Sequence, residues 1–453
     1  MTMAKRFCEL QAHAPPNISG WPWLRAFRQQ AQRAFAAQEL PTLRQENWKY
    51  TNIRSLSETA FSDAPPPGAA ELAQAENVQQ TQALSLPGYR LTFIAGHFQP
   101  QLSQLETLSG AARLLPLKQA FEQEQALVEN YLGSAMEYPG QPFAALNSAR
   151  LEDGVLLYLP ANCQLSQPIH CLFYTPSGPH SHVSYPRLLL MLEPGAQAQL
   201  IEEYLGDPVP PENAAAQFTC PLSEIILAHD AHLLHGKVLR EGPQGHHIAG
   251  IHVSQAEQSH LHSISITLGG GICRNDLQVK LHARGAQVRL DGLYMLAGRQ
   301  HLDNHLRIDH LQAGCRSEVL YKGIIDDRAR GVFNGLAVVH PQAQQSDARQ
   351  INKNLLLSEN AEIDTKPELQ IDADDVKCSH GATVGQLDKD ALFYLGSRGM
   401  DQPTARALLT TAFALETLNP LSQGPLREQL AALTGTTLTR QAGGKPPATT
   451  SHS

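Results

Sequence analysis

The chain has 453 residues, 42% hydrophobic and 17% charged, a globular balance that excludes general disorder. Its net charge of −8 offers no basic face to nucleic acid or acidic membranes, so neither is expected as a partner. At this length, two or three domains or one elongated architecture is expected. No apolar run approaches the roughly 18 residues that cross a bilayer. The start, Met1 to Phe7, turns polar after two cations, so a cytoplasmic location is expected. The seven cysteines (Cys8, Cys163, Cys171, Cys220, Cys273, Cys315, Cys378) are scattered, with no Cys-x-x-Cys pair. That argues against a closed zinc site or a cluster held by this chain alone.

Residues 1–150 read as a mostly helical region with a short strand. Trp23 to Leu40 forms an amphipathic helix ended by Pro41, and the polar, aromatic run Gln45 to Asn52 follows it. The Pro/Ala/Gln-rich stretch Ala64 to Leu84 reads as a loose connection. Tyr89 to Phe98 reads as a strand and Leu102 to Leu132 as mostly helical.

Over 151–387 the texture is β: short β-prone segments alternate with Gly, Pro, Asn and Asp turns, without helical period. Glu362 to Ile371 is clearest. Ile363, Thr365, Pro367, Leu369 and Ile371 share one face, the period-two mark of a half-buried strand. Turn-like starts recur before strands at Ser259, Ala286 and Cys315, spaced by 27 and 29 residues. One coil of a parallel β-helix gives such a spacing; a β-sandwich would also give many short strands. Two hundred residues of strands without interleaved helices favour the solenoid.

Helices return over 388–434. Asp388 caps a helix through Ala391 to Leu395, with Gly399 suited to its left-handed exit. Pro403 fits the first turn of a second helix, whose stripe Leu408, Leu409, Ala412, Phe413 and Leu415 suits a partner groove or the end of a solenoid. Asn419-Pro420 ends it, a third helix spans Leu426 to Leu433, and 435–453 is expected to be a disordered tail.

Several constellations carry chemistry. His260 with His262, and His301, His305 and His310, admit either a metal site or hydrogen-bonded ladder residues. Asp326 and Asp327 admit an acid/base pair of a β-helix carbohydrate-active enzyme, or a charged turn. Asn352 and Asn354 suit an interior asparagine ladder. No phosphate-binding loop is present, so ATP hydrolysis by this chain is not expected. Sharpest is Lys377-Cys378-Ser379-His380-Gly381, where a thiol and an imidazole share a strand face and both can bind iron.

Longer motifs add a resemblance. Tyr321-Lys-Gly-Ile, Ala329-Arg-Gly-Val-Phe-Asn-Gly335, Asn354-Leu-Leu-Leu-Ser358 and Phe393-Tyr-Leu-Gly-Ser-Arg-Gly399 look like the SufB/SufD family of iron–sulfur cluster assembly scaffolds. Glu46-Asn-Trp-Lys-Tyr-Thr51 matches that family's N-terminal region. Ala361 to Leu369 and Ala373 to Gly385 look like its SufD branch, and no cysteine stands between Ala361 and Ile371, where SufB style would place one.

The resemblance implies a right-handed parallel β-helix flanked by N-terminal and C-terminal helical regions, without catalysis of its own. It implies a SufB-like homologous subunit and a SufC-like ATPase as partners. The ATPase would be held by the C-terminal helices, with Phe393, Tyr394 and Arg398 beside the apolar stripe. His380 is implied as a ligand of a transient cluster shared with the partner, Cys378 being the alternative. ATP would sit only on the ATPase, and reduced flavin somewhere on the complex.

Overall fold

A computed structural model describes residues 21–441 apart from 106, 107 and 109. Its core is a parallel β-solenoid of about eight turns, with helices at both ends of the chain, as the alternation and the resemblance led us to expect. Two sheets face each other. The first runs through Arg113–Pro116, Gly154–Leu159, Arg187–Leu192, Leu222–Leu227, Gly245–Gln255, Ile272–Leu281, His301–His310, Arg330–Val339 and Glu362–Ile371. The second runs through His97–Phe98, Tyr89–Ile94, Ile169–Thr175, Gln197–Gly206, His232–Arg240, His260–Thr267, Gln287–Leu296, Arg316–Ile325, Asp347–Leu356 and Lys377–Gly385. Successive strands alternate between the sheets, so each coil stacks on the last.

The recurrent starts seen in sequence have a backbone cause. His260, Gln287 and Arg316 stand in register on adjacent strands, one residue after the recurring turn positions. At that turn Asn162, Gly195, Asp230, Gln258, Gly285, Gly314 and Gln345 all adopt positive φ, between 53° and 72°. Each of these residues donates its N–H to a carbonyl of the following coil: Asn162 to Pro194, Gly195 to His229, Asp230 to Glu257, Gln258 to Arg284, Gly285 to Ala313, Gly314 to Gln344 and Gln345 to Asp375. Small or amide-bearing side chains tolerate this left-handed conformation, which explains the turn residues that mark each coil.

Between the sheets lies one continuous apolar core, from Leu91 and Phe93 through Leu190, Leu233 and Leu290 to Phe333. The outer faces are covered as well. Helices Pro22–Ala36, Leu117–Gln123 and Gln125–Tyr131 lie over the first sheet, Ala69–Thr81 lies over the second, and the C-terminal helices pack Ala414, Leu418, Leu421 and Leu430 against Ile201, Ile266, Met295 and Ile324 of the second.

Three expectations for the flanks need correction. Ala64 to Leu84 is not a loose connection. It holds the helix Ala69–Thr81, started by the Glu71 carboxylate accepting from Gly68 N–H (2.7 Å) and anchored by buried Ala75 and Val78. Leu102 to Leu132 is only partly helical, because Arg113–Pro116 joins the first sheet antiparallel to Gly154–Leu159, ahead of helices Leu117–Gln123 and Gln125–Tyr131. Its Leu-Leu pair satisfied either period. The first helix, Pro22–Ala36, stops short of Leu40, and the last, Pro425–Gln441, outruns Leu433. Residues 435–441 are therefore helical, whereas 442–453 lie outside the described residues. Asp388 and Asp401 cap the first two C-terminal helices, accepting from Asp390 N–H and Thr404 N–H (each 2.8 Å).

Candidate functional site at the open end of the solenoid

The last coil has a neighbour on one side only. Among the described residues, Glu362–Ile371 pairs only with Arg330–Val339, and Lys377–Gly385 only with Asp347–Leu356. The alternating face of Glu362–Ile371 is present as read, but no residue of the strand is fully buried, because no further coil covers it. Ile371 and Val384, in register with buried Val339 and Asn354, remain 44% and 49% exposed.

Cys378 and His380 stand beside Ala348 and Gln350, both buried, so they belong to the inward face of the terminal strand. His380 is exposed, and Gln350 beneath it donates its amide to Glu368 O (3.1 Å). Cys378 is half-buried against Val339, Ala343 and Ala373. Burial pushes its thiol pKa up, so it is protonated at neutral pH and a poorer ligand until a metal displaces the proton.

The other constellations resolve into structure. Asp327 takes positive φ in a turn, where its carboxylate accepts from Gly298 N–H (2.9 Å), while that of Asp326 accepts from Asp327 N–H (2.8 Å). That is the geometry of a charged turn. His262 meets Asp291 (2.8 Å), His310 meets Ser317 (2.8 Å), His301 meets Thr51 (3.0 Å), and His260 stacks on His232 at 4.5 Å. Among the described residues no group of three or more His, Cys, Asp or Glu side chains is gathered to hold a metal. Asn352 and Asn354 are interior but bond to one another along one strand (2.5 Å) and to Tyr294, not as a column. The stacked asparagines are Asn275 and Asn304 (3.1 Å).

The expected docking stripe is divided. Leu408 and Ala412 are exposed, Leu409, Phe413 and Leu415 are half-buried, and the fully buried positions of that helix are Ala405, Thr410 and Ala414. Phe393 (79% exposed) and Tyr394 (56%) stand free of the solenoid, with the Arg398 guanidinium 5.2 Å from the Tyr394 ring. Lys322 crosses to these helices, donating to Phe413 O (3.0 Å) and pairing with Glu416, its ammonium 4.3 Å from the Phe413 ring.

One constellation was not legible. Inside the solenoid Glu202 accepts from Tyr204 (2.6 Å) and Ser223 (3.0 Å) and meets His235 (2.6 Å), while Lys237 donates to Asn275 (2.8 Å). Glu202 is held down to about 2, chiefly by His235 against the opposing cost of burial, and burial lowers Lys237 to about 8. In sequence these residues alternate like their neighbours, and alternation does not say which face is inside when both are covered.

Residues 174–413 match the family model described as the SUF system FeS cluster assembly, SufBD core domain, and residues 2–171 the SufBD protein N-terminal region. The chain belongs to the SufBD family. It is 32% identical over 398 residues to the iron–sulfur cluster assembly protein SufD of Escherichia coli, covering 87% of this chain and 89% of that protein. A SufBD family protein of Synechocystis is 36% identical over 414 residues, 90% of each chain. SufD of Bacillus subtilis is 25% identical over 317 residues, 69% of this chain and 71% of that one. The SufBD motifs now have places. Glu46 to Thr51 lies on the outer face of the first sheet, Tyr321 to Ile324 spans the second beneath the C-terminal helices, and Phe393 to Gly399 is the exposed helix. A role in iron–sulfur cluster assembly follows from membership of the SufBD family. Among the described residues no helix is long and apolar enough to cross a membrane.

Proposed function

We propose that this chain is a non-catalytic scaffold subunit whose open solenoid end joins the corresponding end of a homologous, SufB-like subunit, and that a nascent iron–sulfur cluster is built at the junction. The observation that carries the reading is the uncovered last coil. Its two edge strands present unpaired backbone groups and an apolar inner face that a second solenoid would bury. His380, exposed on that inner face, offers one imidazole nitrogen to iron, with the other ligands supplied by the partner. Cys378 is the weaker candidate because burial favours its protonated form. A SufC-like ATPase docks on the C-terminal helices through Phe393, Tyr394, Arg398 and Leu408, and ATP is bound there and not here. Reduced flavin, if bound by the complex, has no site assigned on this chain.

The test is co-expression with a SufB-like subunit and a SufC-like ATPase, scoring retention of each by tagged chains. Ile371→Asp with Val384→Asp should lose the homologous subunit and keep the ATPase. Phe393→Ala with Leu408→Ala should do the reverse. His380→Ala should keep both yet lose cluster on anaerobic reconstitution. Retention of the homologous subunit by the Ile371/Val384 variant would refute the end-face reading.

A further inference from the structure

The segment Glu46 to Thr51 spans more of the solenoid than its length suggests. Trp48 stacks under Arg274 on Ile272–Leu281, and Thr51 donates to Asp303 (2.6 Å) and meets His301 on His301–His310. The Tyr50 ring lies 5.9 Å from the Arg330 guanidinium on Arg330–Val339. Glu46 pairs with Lys366 (2.9 Å) on the terminal strand itself. Four successive strands of the first sheet are thus touched from a six-residue segment, the last being the edge of the open end. Arg330 braces the same strand from its neighbour, pairing with Asp364 (2.9 Å) and Glu362 (3.0 Å).

The terminal strand needs such bracing. It is hydrogen-bonded on one side only, and its outer face carries Glu362, Asp364, Lys366 and Glu368, with Lys366 as the lone cation among three carboxylates. Edge strands with few buried contacts fray first. A frayed edge must be re-ordered when a partner arrives, at a cost in affinity.

We infer that Glu46 to Thr51 is a strap that holds the terminal strand in place for its partner, with Glu46 and Lys366 as positioning residues rather than contacts to the partner or to iron. This rests on the reading of the open end as the subunit junction. It also gives the N-terminal region a part in assembly.

The test uses the full-length chain with Glu46→Lys, Lys366→Glu and the double exchange. Amide hydrogen exchange over 362–371 is measured on the isolated protein, and affinity for the SufB-like subunit on the pair. Each single reversal should speed exchange about three- to fivefold, the upper range for an exposed ion pair, and weaken association to a similar degree. The double exchange should recover part of both, because the Lys366–Glu368 pair (3.1 Å) is not rebuilt. Unchanged exchange in the single variants overturns the strap. Restored exchange without restored association also overturns it, because Glu46 or Lys366 would then touch the partner directly. If the wild-type chain shows no association, the junction reading fails by itself, and the exchange data still decide whether the strap exists.

Discussion

The guanidinium of Arg274 lies 3.9 Å from the ring centroid of Trp48, and the same arginine reaches Asp276, Asp303 and the carbonyl of Asn47. One buried cation thus ties the N-terminal region to two strands of the solenoid. Its planar fork is needed for both the stacking and the paired hydrogen bonds. Arg274→Lys is expected to destabilise by about 2–4 kcal/mol, somewhat less than the about 3–5 kcal/mol for removing a buried charge partner outright, because a cation remains. Trp48→Ala should cost about 3–5 kcal/mol. Chemical denaturation checks both, with proteolysis near Glu46 reporting release of the segment.

Gly323 makes a second, purely steric prediction. A Cβ there would lie 2.4 Å from the Tyr294 ring and 2.5 Å from Asn354 Oδ1, inside the bonded pair they form. Gly323→Ala should destabilise by about 1–3 kcal/mol, as overpacking does. Gly381→Ala, whose added carbon meets nothing within 4 Å, should be close to neutral, and thermal unfolding compares the two.

Lys237 sets an alkaline slope. Burial lowers its folded-state pKa from 10.5 to about 8, so between those values the unfolded chain binds the proton and the folded chain does not. Stability should therefore rise as pH is raised from about 8 to 10.5, by up to about 3 kcal/mol. Lys237→Met should remove that rise in denaturation curves taken across the window. Its effect at pH 7 should be small, because relief of the buried charge is offset by the loss of Asn275's donor.

Acid should act through the covered histidines. Burial lowers His246, His252 and His310 from 6.5 to about 4. Here too the unfolded chain takes protons first, so stability is held above about 6.5 and lost as pH falls toward 4. Among the described residues His252 Nε2 has no hydrogen-bond partner, so His252→Leu should flatten the acid limb without a large cost at pH 7. Thermal midpoints between pH 4 and 7 measure it.

Legibility in the sequence followed what a period can encode. Glu362–Ile371 and the spacing of Ser259, Ala286 and Cys315 were readable because alternation and turn chemistry act locally. Ala69–Thr81 was hidden by flanking prolines, and Arg113–Pro116 was misread because its pairing with Gly154–Leu159 is a long-range choice. The Cys378-x-His380 pair could be picked out by residue type. That it stands on an uncovered inner face could not, since exposure there depends on where the stacking stops. Likewise Tyr321-Lys-Gly-Ile was a marker in sequence, and only the fold shows Lys322 gripping Glu416.

The column of seven left-handed residues acts as a ruler for evolution and for engineering. Each N–H finds its carbonyl one coil later, so the solenoid's length along its axis changes in whole coils of about thirty residues. Duplicating one coil from the middle should insert a rung of about 4.8 Å and leave both extremities chemically as they were. A single-residue deletion inside a strand would instead turn the side chains between it and the next turn inside out. Distance between the two ends is therefore a digital quantity, adjustable by repeat number while the junction keeps its chemistry.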